Sequence, residues 1–200
     1  MTTFNITMKN FILPTFLILS TSLTGCITSS PLPADSRPST WGTQINHANN
    51  FYQISDFVYR SEQPNSALIS DIKKHHIDIV INLRTKNEDA EVLKNQNLNL
   101  IQVPINTWAM NREDILKVMQ VIKKAQSNQQ SVLIHCYHGS DRTGASIAMY
   151  RIIFENWTTT EALNEMKHGG YGFHPIWINI EKIFSLENIK WVQQQLSNPS

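Results

Sequence analysis

The sequence predicts a single α/β domain with a mostly parallel central sheet flanked by helices. Three observations lead there. From Phe51 onward, short apolar and β-branched runs alternate with stretches of helical period, the pattern of a sheet covered by helices. One of these runs, Val132-Leu-Ile134, passes through a tight connection into Ala145–Phe154, an apolar helical run free of Pro and Gly. The stretch from about Trp41 to Leu196 has the length of one domain and shows no internal repeat.

The chain opens with Phe11–Leu23, apolar but interrupted by Pro14, Ser20, Thr21 and Ser22, with Lys9 the only charge before it. It is shorter than the ~20 apolar residues that a membrane span needs and suits the core of a signal peptide. Leu23-Thr-Gly-Cys26 resembles the cleavage box of bacterial lipoproteins. That resemblance implies a cut before Cys26, lipid on Cys26, export to the cell envelope and a membrane as partner. Ile27 stands where an Asp would signal inner-membrane retention, so the outer membrane is expected. Residues 1–25 are thus expected as signal peptide and 26–40 as a Ser/Pro-rich tether too polar to bury a core. Residues 41–200 form the folded domain.

Within that domain, Phe51–Ile54 and Phe57–Arg60 predict two strands joined by a turn at Ser55-Asp56. Ser66–His75 predicts a helix with Leu68, Ile69 and Ile72 on one face, and Ile77–Leu83 a buried strand. A short helix around Glu88–Asn95 and a strand over Leu98–Val103 come next, then a loop from Pro104 to Asn111. Arg112–Ala125 is an amphipathic helix, with Ile115, Val118, Met119 and Ile122 in register. Thr158-Thr-Thr-Glu161 reads as a capping box for a helix that stops at Gly169-Gly170. One or two helices fill Ile176–Leu196.

The chemistry concentrates in His135-Cys-Tyr-His-Gly-Ser-Asp-Arg-Thr-Gly144, between strand and helix. Such a connection aims backbone N–H groups and the positive helix end at one point and makes an anion site. A free thiol ionises near ~8.5, and helix N-termini with nearby cations bring that to roughly 3.5–7.5, so Cys136 is expected as a thiolate nucleophile. Arg142 offers a planar fork for two phosphate oxygens. Attack on a phosphoryl group cradled by N–H groups and Arg142 follows. Two duller readings compete: an inert buried thiol, and a metal site of His135, Cys136 and His138. The Arg and two Gly argue against the first. Crowding of adjacent ligands, with no second His/Cys cluster, argues against the second.

The sequence His135-Cys136-x5-Arg142-Thr143-Gly144 resembles the active-site loop of the cysteine-dependent tyrosine and dual-specificity phosphatases. Phe57-Val-Tyr-Arg-Ser-Glu-Gln-Pro64 and Val80-Ile-Asn-Leu-Arg84 resemble the opening segments of their small atypical members. The resemblance implies a phosphomonoesterase that works through a phosphocysteine on Cys136 without metal or cofactor. Substrate would be held by Tyr137, His138, Gly139, Ser140, Asp141 and Arg142. Thr143 would place its hydroxyl near Cys136 and help the thiolate leave, and His135 would orient the loop. Substrates would be phosphorylated proteins, phosphoinositides or other small phosphate esters.

One part of the family pattern is missing. The general acid is usually an Asp on the loop before the helix preceding the active-site strand, and here Asn106 stands there. An amide cannot deliver a proton. Asp141, beside Arg142, is the expected substitute, whereas Asp114 and Glu113 are better read as charges favourable at a helix N-terminus. The gap at Asn106 keeps open an alternative, a membrane-tethered module that binds phosphate esters with little turnover. For Arg60 and Arg84 an ion pair with a carboxylate is expected rather than catalysis, and Gly169–His174 is either a cleft wall or a helix stop. Seventeen Lys and Arg balance sixteen Asp and Glu, net +1, without basic blocks, which argues against nucleic acid as partner. With Cys26 lipidated, Cys136 has no disulfide partner in its own chain.

Overall fold

The strand that feeds the loop is the middle of the parallel sheet. In the computed structural model, which describes Met1 and residues 27–198, β6 (Val132–His135) lies between β3 (Val58–Ser61) and β4 (Ile79–Asn82), parallel to both. β5 (Asn99–Gln102) extends the sheet in parallel beyond β4, and β2 (Phe51–Gln53) and β1 (Thr43–Asn46) extend it in antiparallel fashion beyond β3. The order is β1-β2-β3-β6-β4-β5. All four residues of β6 are buried, as strands covered on both faces require.

Side chains alternate across β6 and divide the core in two. Val132 and Ile134 face the larger cluster, with Ile79 and Ile81 of β4 and the long helices. Leu133 joins the smaller one, with Tyr59, Val80, Leu68 and Ile72, under α1 (Ile69–Lys74). The larger face is covered by α3 (Arg112–Ser127), α4 (Asp141–Phe154), α5 (Thr159–His168), α6 (Ile178–Lys182) and α7 (Leu186–Ser197). α4 is buried continuously from Thr143 to Ile152, as an apolar helix without a polar stripe must be.

The domain is a single α/β unit, as expected, and its elements depart from expectation in a few instructive places. β1 was not anticipated, because Thr-Gln-Ile-Asn shows too little alternation and its pairing with β2 is broken by a register shift. Ser66–His75 divides into a 3-10 turn, Ser66–Leu68, and α1, and the short helix near Glu88 is one turn, α2 (Asp89–Val92). The Thr158–Glu161 capping box is formed. Most consequentially, α4 starts at Asp141, four residues ahead of the apolar run, so Asp-Arg-Thr-Gly is its first turn rather than loop.

Residues 1–25 and Cys26 bear the expected signal peptide and lipid site; apart from Met1 they lie outside the described residues. Residues 27–40 are largely exposed but follow the domain surface. Ser29 N–H donates to Phe173 O at 2.7 Å, Leu32 N–H to His168 O at 2.9 Å, and Arg37 Nε to Leu32 O at 2.9 Å. No helix among the described residues is long and apolar enough to cross a membrane.

Candidate active site

Cys136 follows β6 directly, at the carboxyl end of the strands where open α/β sheets place ligands. The loop ends at Asp141, where α4 begins and turns its positive N-terminus on the same point. Only 3% of Cys136 is exposed.

The underside of the loop rests on two buried clamps. The first is Arg60 at the end of β3, fully buried, whose Nη2 donates to Gly139 O at 2.6 Å. Gly139 has φ of 69°, and a Cβ there would lie 2.4 Å from Ser61 O, so no other residue fits without moving β3. The Arg60 guanidinium lies 3.7 Å from the Tyr171 ring centroid, and its Nε and Nη1 have no partner among the described residues. Burial pushes Arg60 down from its ordinary value, while Tyr171, Glu165 and Cys136 pull the other way. This Arg is therefore not the surface ion-pair residue expected from sequence. It is a buried cation under the loop. Nearby, Glu165 accepts from Arg151 at 2.8 and 2.9 Å, from Tyr171 OH at 3.0 Å and from Gly42 N–H at 2.7 Å.

The second clamp is His135, also fully buried, with Nε2 2.8 Å from Asp89 Oδ2 and Nδ1 3.3 Å from Cys136 O. Asp89 also accepts from Gln63 Nε2 at 2.6 Å, and Gln63 in turn accepts from Arg84 Nη1 at 2.7 Å. Arg84 pairs with Glu88 at 2.8 Å, the structural role expected of it. Burial alone would push Asp89 up, but the hydrogen bonds from His135 and Gln63 and the neighbouring charges hold it below the ordinary carboxylate range. The Gln63 N–H reaches Tyr137 O at 3.1 Å and fixes the loop a third time.

The open side forms a cleft of about 830 Å³, lined on its polar face by Thr107, Tyr137, His138, Asp141, Arg142 and His174. Arg142 Nη1 donates to Leu83 O at 3.2 Å and Ile105 O at 3.1 Å, so chain ends beyond β4 and β5 aim it. Its Nε and Nη2 have no protein acceptor among the described residues and are available to an anion. Tyr137 and His138 are exposed at the mouth. Ser140 is buried, and its hydroxyl donates to Tyr171 O at 2.7 Å. Thr143 Oγ1 is buried without a partner among the described residues, a costly state for a hydroxyl with no task.

Asp141 faces the cleft in a pair with His174. Its Oδ1 accepts the His174 N–H at 2.9 Å, and its Oδ2 lies 2.9 Å from His174 Nδ1. Asn106 is exposed and begins a 3-10 turn over Thr107–Ala109. Asp114 forms a capping box with Asn111 on α3, the helix-terminal role expected of it, and Glu113 pairs with Arg112 at 3.1 Å. Among the described residues, no group of three His, Cys, Asp or Glu side chains is placed to hold a metal ion.

A nucleophile at a strand end, a glycine-shaped loop, an aimed Arg and a helix N-terminus form a phosphate cradle with a thiol at its start. A model of the dual specificity phosphatase catalytic domain matches residues 58–186. The chain belongs to the dual specificity phosphatase family. It is 29% identical over 160 residues to the dual specificity protein phosphatase TpbA of Pseudomonas aeruginosa, covering 78% of this chain and 72% of that one. The crystal structure of P. aeruginosa TpbA superposes with a TM-score of 0.73 at 26% identity, over 82% of this chain and 100% of the other. A cysteine-to-serine form of TpbA in complex with pTyr gives 0.74 at 25% identity, with the same coverage. This dual specificity phosphatase is a cysteine-dependent phosphoric monoester hydrolase, and the module that merely binds phosphate esters is not favoured.

Sequence reasoning gave Asp89 no role, and it met Gln63 only within the Phe57–Pro64 segment and Tyr171 and His174 only within Gly169–His174, read as a cleft wall or a helix stop. Each acquires its particular role only when a distant segment is folded against the loop.

Proposed function

We propose that this phosphatase acts on phosphotyrosine and similar phosphomonoesters, with Cys136 as nucleophile and the Asp141–His174 pair as proton source. The thiolate attacks phosphorus while the equatorial oxygens are held by Arg142 and the N–H groups of the 137–142 loop. The phosphorus–oxygen bond breaks, and the pair protonates the leaving oxygen. Water then attacks the phosphocysteine, the pair takes its proton, and the Cys136 thiolate leaves with the Thr143 hydroxyl beside it. The observation that carries the substrate reading is the cleft itself. It has an Arg142 end for phosphate and a wall of Tyr137, Ile176 and Trp177 suited to an aromatic ring, and the related TpbA variant has been crystallised with pTyr. The same chemistry extends to phosphoinositides or small phosphate esters.

Hydrolysis of a phosphotyrosine peptide and of p-nitrophenyl phosphate tests this. Cys136→Ser is expected to abolish turnover, by about 10⁴-fold or more, while still binding phosphate through the backbone cradle. Near-normal activity in that variant would overturn the mechanism.

The Leu23–Cys26 box supports a lipid anchor on Cys26 and residence in a bacterial envelope, at the outer membrane. Cys26→Ser is expected to stop incorporation of a labelled fatty acid and release the protein from membranes. Equal labelling of both proteins would remove the anchor.

A further inference from the structure

Large exposed apolar side chains gather around the mouth of the cleft. Ile27 is 81% exposed and Ile176 76%, and both line it together with Tyr137, Pro175 and Trp177. Trp108, 69% exposed, and Ile178, also exposed, stand next in sequence to the lining residues Thr107 and Trp177. Exposed apolar side chains gathered at the mouth of a cleft mark a surface with a partner. Isoleucines mixed with Trp and Tyr suit the boundary between water and lipid, where amphipathic rings settle.

The path of the chain says what the partner is. Ser29 is tied to Phe173 O, and Leu32 together with the Ser30 carbonyl is tied to His168. The chain therefore joins the fold at Ile27, on the rim of the cleft, with Cys26 directly before it. Three residues span at most about 11 Å, so an acyl group on Cys26 emerges within that distance of Ser29. Residues 27–40 leave little slack to lift the cleft from the surface in which the acyl chains sit.

We infer that the apolar rim of Ile27, Trp108, Tyr137, Ile176 and Ile178 docks on the lipid bilayer that holds Cys26. The cleft then faces that bilayer and works on phosphomonoesters carried at its surface. The inference rests on the reading of a lipid-anchored phosphatase given above.

The test uses the mature acylated protein in phosphatidylcholine/phosphatidylglycerol vesicles. Brominated phosphatidylcholine is expected to quench tryptophan emission in the wild type, and Trp108→Phe is expected to remove most of the quenchable part. Trp108→Asp/Ile178→Asp is expected to lose about tenfold in kcat/KM on a myristoylated phosphotyrosine peptide held in the vesicles. The same variant should keep its full rate on the unacylated peptide, which also shows that it is folded. Undiminished activity on the vesicle-held peptide, or no quenching by the brominated lipid, would overturn the docking. So would a wild-type dimer that Trp108→Asp dissociates, since the rim would then cover a second copy. Two further results would end the proposal through the reading beneath it and are told apart by their own assays. One is mass spectrometry that shows no acyl group on Cys26, and the other is a wild type that hydrolyses neither peptide.

Discussion

The two sides of the Cys136 loop are built on opposite principles. Beneath it, Arg60, His135 and Asp89 are buried and tied by hydrogen bonds to Gly139 O, Cys136 O and Gln63. Above it, Tyr137 and His138 are exposed, and Asp141 meets His174 at the edge of an open cleft. Buried polar groups that have their partners, as His135 and Asp89 do and as Arg60 does through Nη2, fix one geometry, because any other leaves them unpaired in a low-dielectric interior. The exposed Tyr137 and His138 carry no such penalty and are free to meet substrate, while Asp141, buried against His174, still lines the cleft. The difference assigns rigidity to the underside and selectivity to the open face.

That division predicts how variants on each side should fail. On the open face, Asp141→Asn is expected to lower kcat on alkyl phosphates by ~10²–10⁴. The loss on p-nitrophenyl phosphate should be much smaller, since its leaving group needs little protonation. Equal losses on both substrates would make Asp141 part of the scaffold instead. On the underside, Gly139→Ala puts a Cβ against Ser61 O at a positive φ. It should cost about 1–3 kcal/mol in chemical denaturation and reduce both substrates alike. A stable variant with altered substrate preference would break the comparison.

Asp89→Asn sharpens it through pH. The Asp89 carboxyl is held below its ordinary value, so its contribution to stability is complete above about pH 4. That contribution is lost as pH falls through the depressed native value. The variant should be ~1–3 kcal/mol less stable at pH 7, and the gap should close on acidification below pH 4. A gap that persists in acid would mean the carboxylate is not held by His135. The smallest effect belongs to Asp114→Asn, which touches the α3 cap and Lys117 on the same helix: a loss of about 0.5–1 kcal/mol and unchanged kinetics on both substrates.

The same division explains what the sequence discloses. The spacing of Cys136, Arg142 and Thr143 is written within one strand, loop and helix, and local period was enough to place β6 and α3. Arg60 misled because an Arg after a strand is usually a surface residue, and only the pairing of β3 with β6 puts it under Gly139. Asp89 comes 46 positions before His135 and His174 33 after Asp141, separations across which no period or cap operates. The start of α4 was misjudged for a local reason. Thr and Gly are poor helix formers by propensity, yet Thr143 and Gly144 lie in the first turn of α4.

The central claim is that phosphate passes through Cys136. Rapid acid quench of a single turnover with a phosphotyrosine peptide, followed by mass spectrometry of the loop peptide, reads it directly. Thr143→Ala is the protein to use, since loss of the hydroxyl by the leaving thiolate should slow hydrolysis and let the intermediate accumulate. The account predicts one phosphoryl group on Cys136, in greater yield than in the wild type, and none in a Cys136→Ser control. A phosphoryl group on His135 or His138, or turnover with no covalent adduct in either protein, would contradict it.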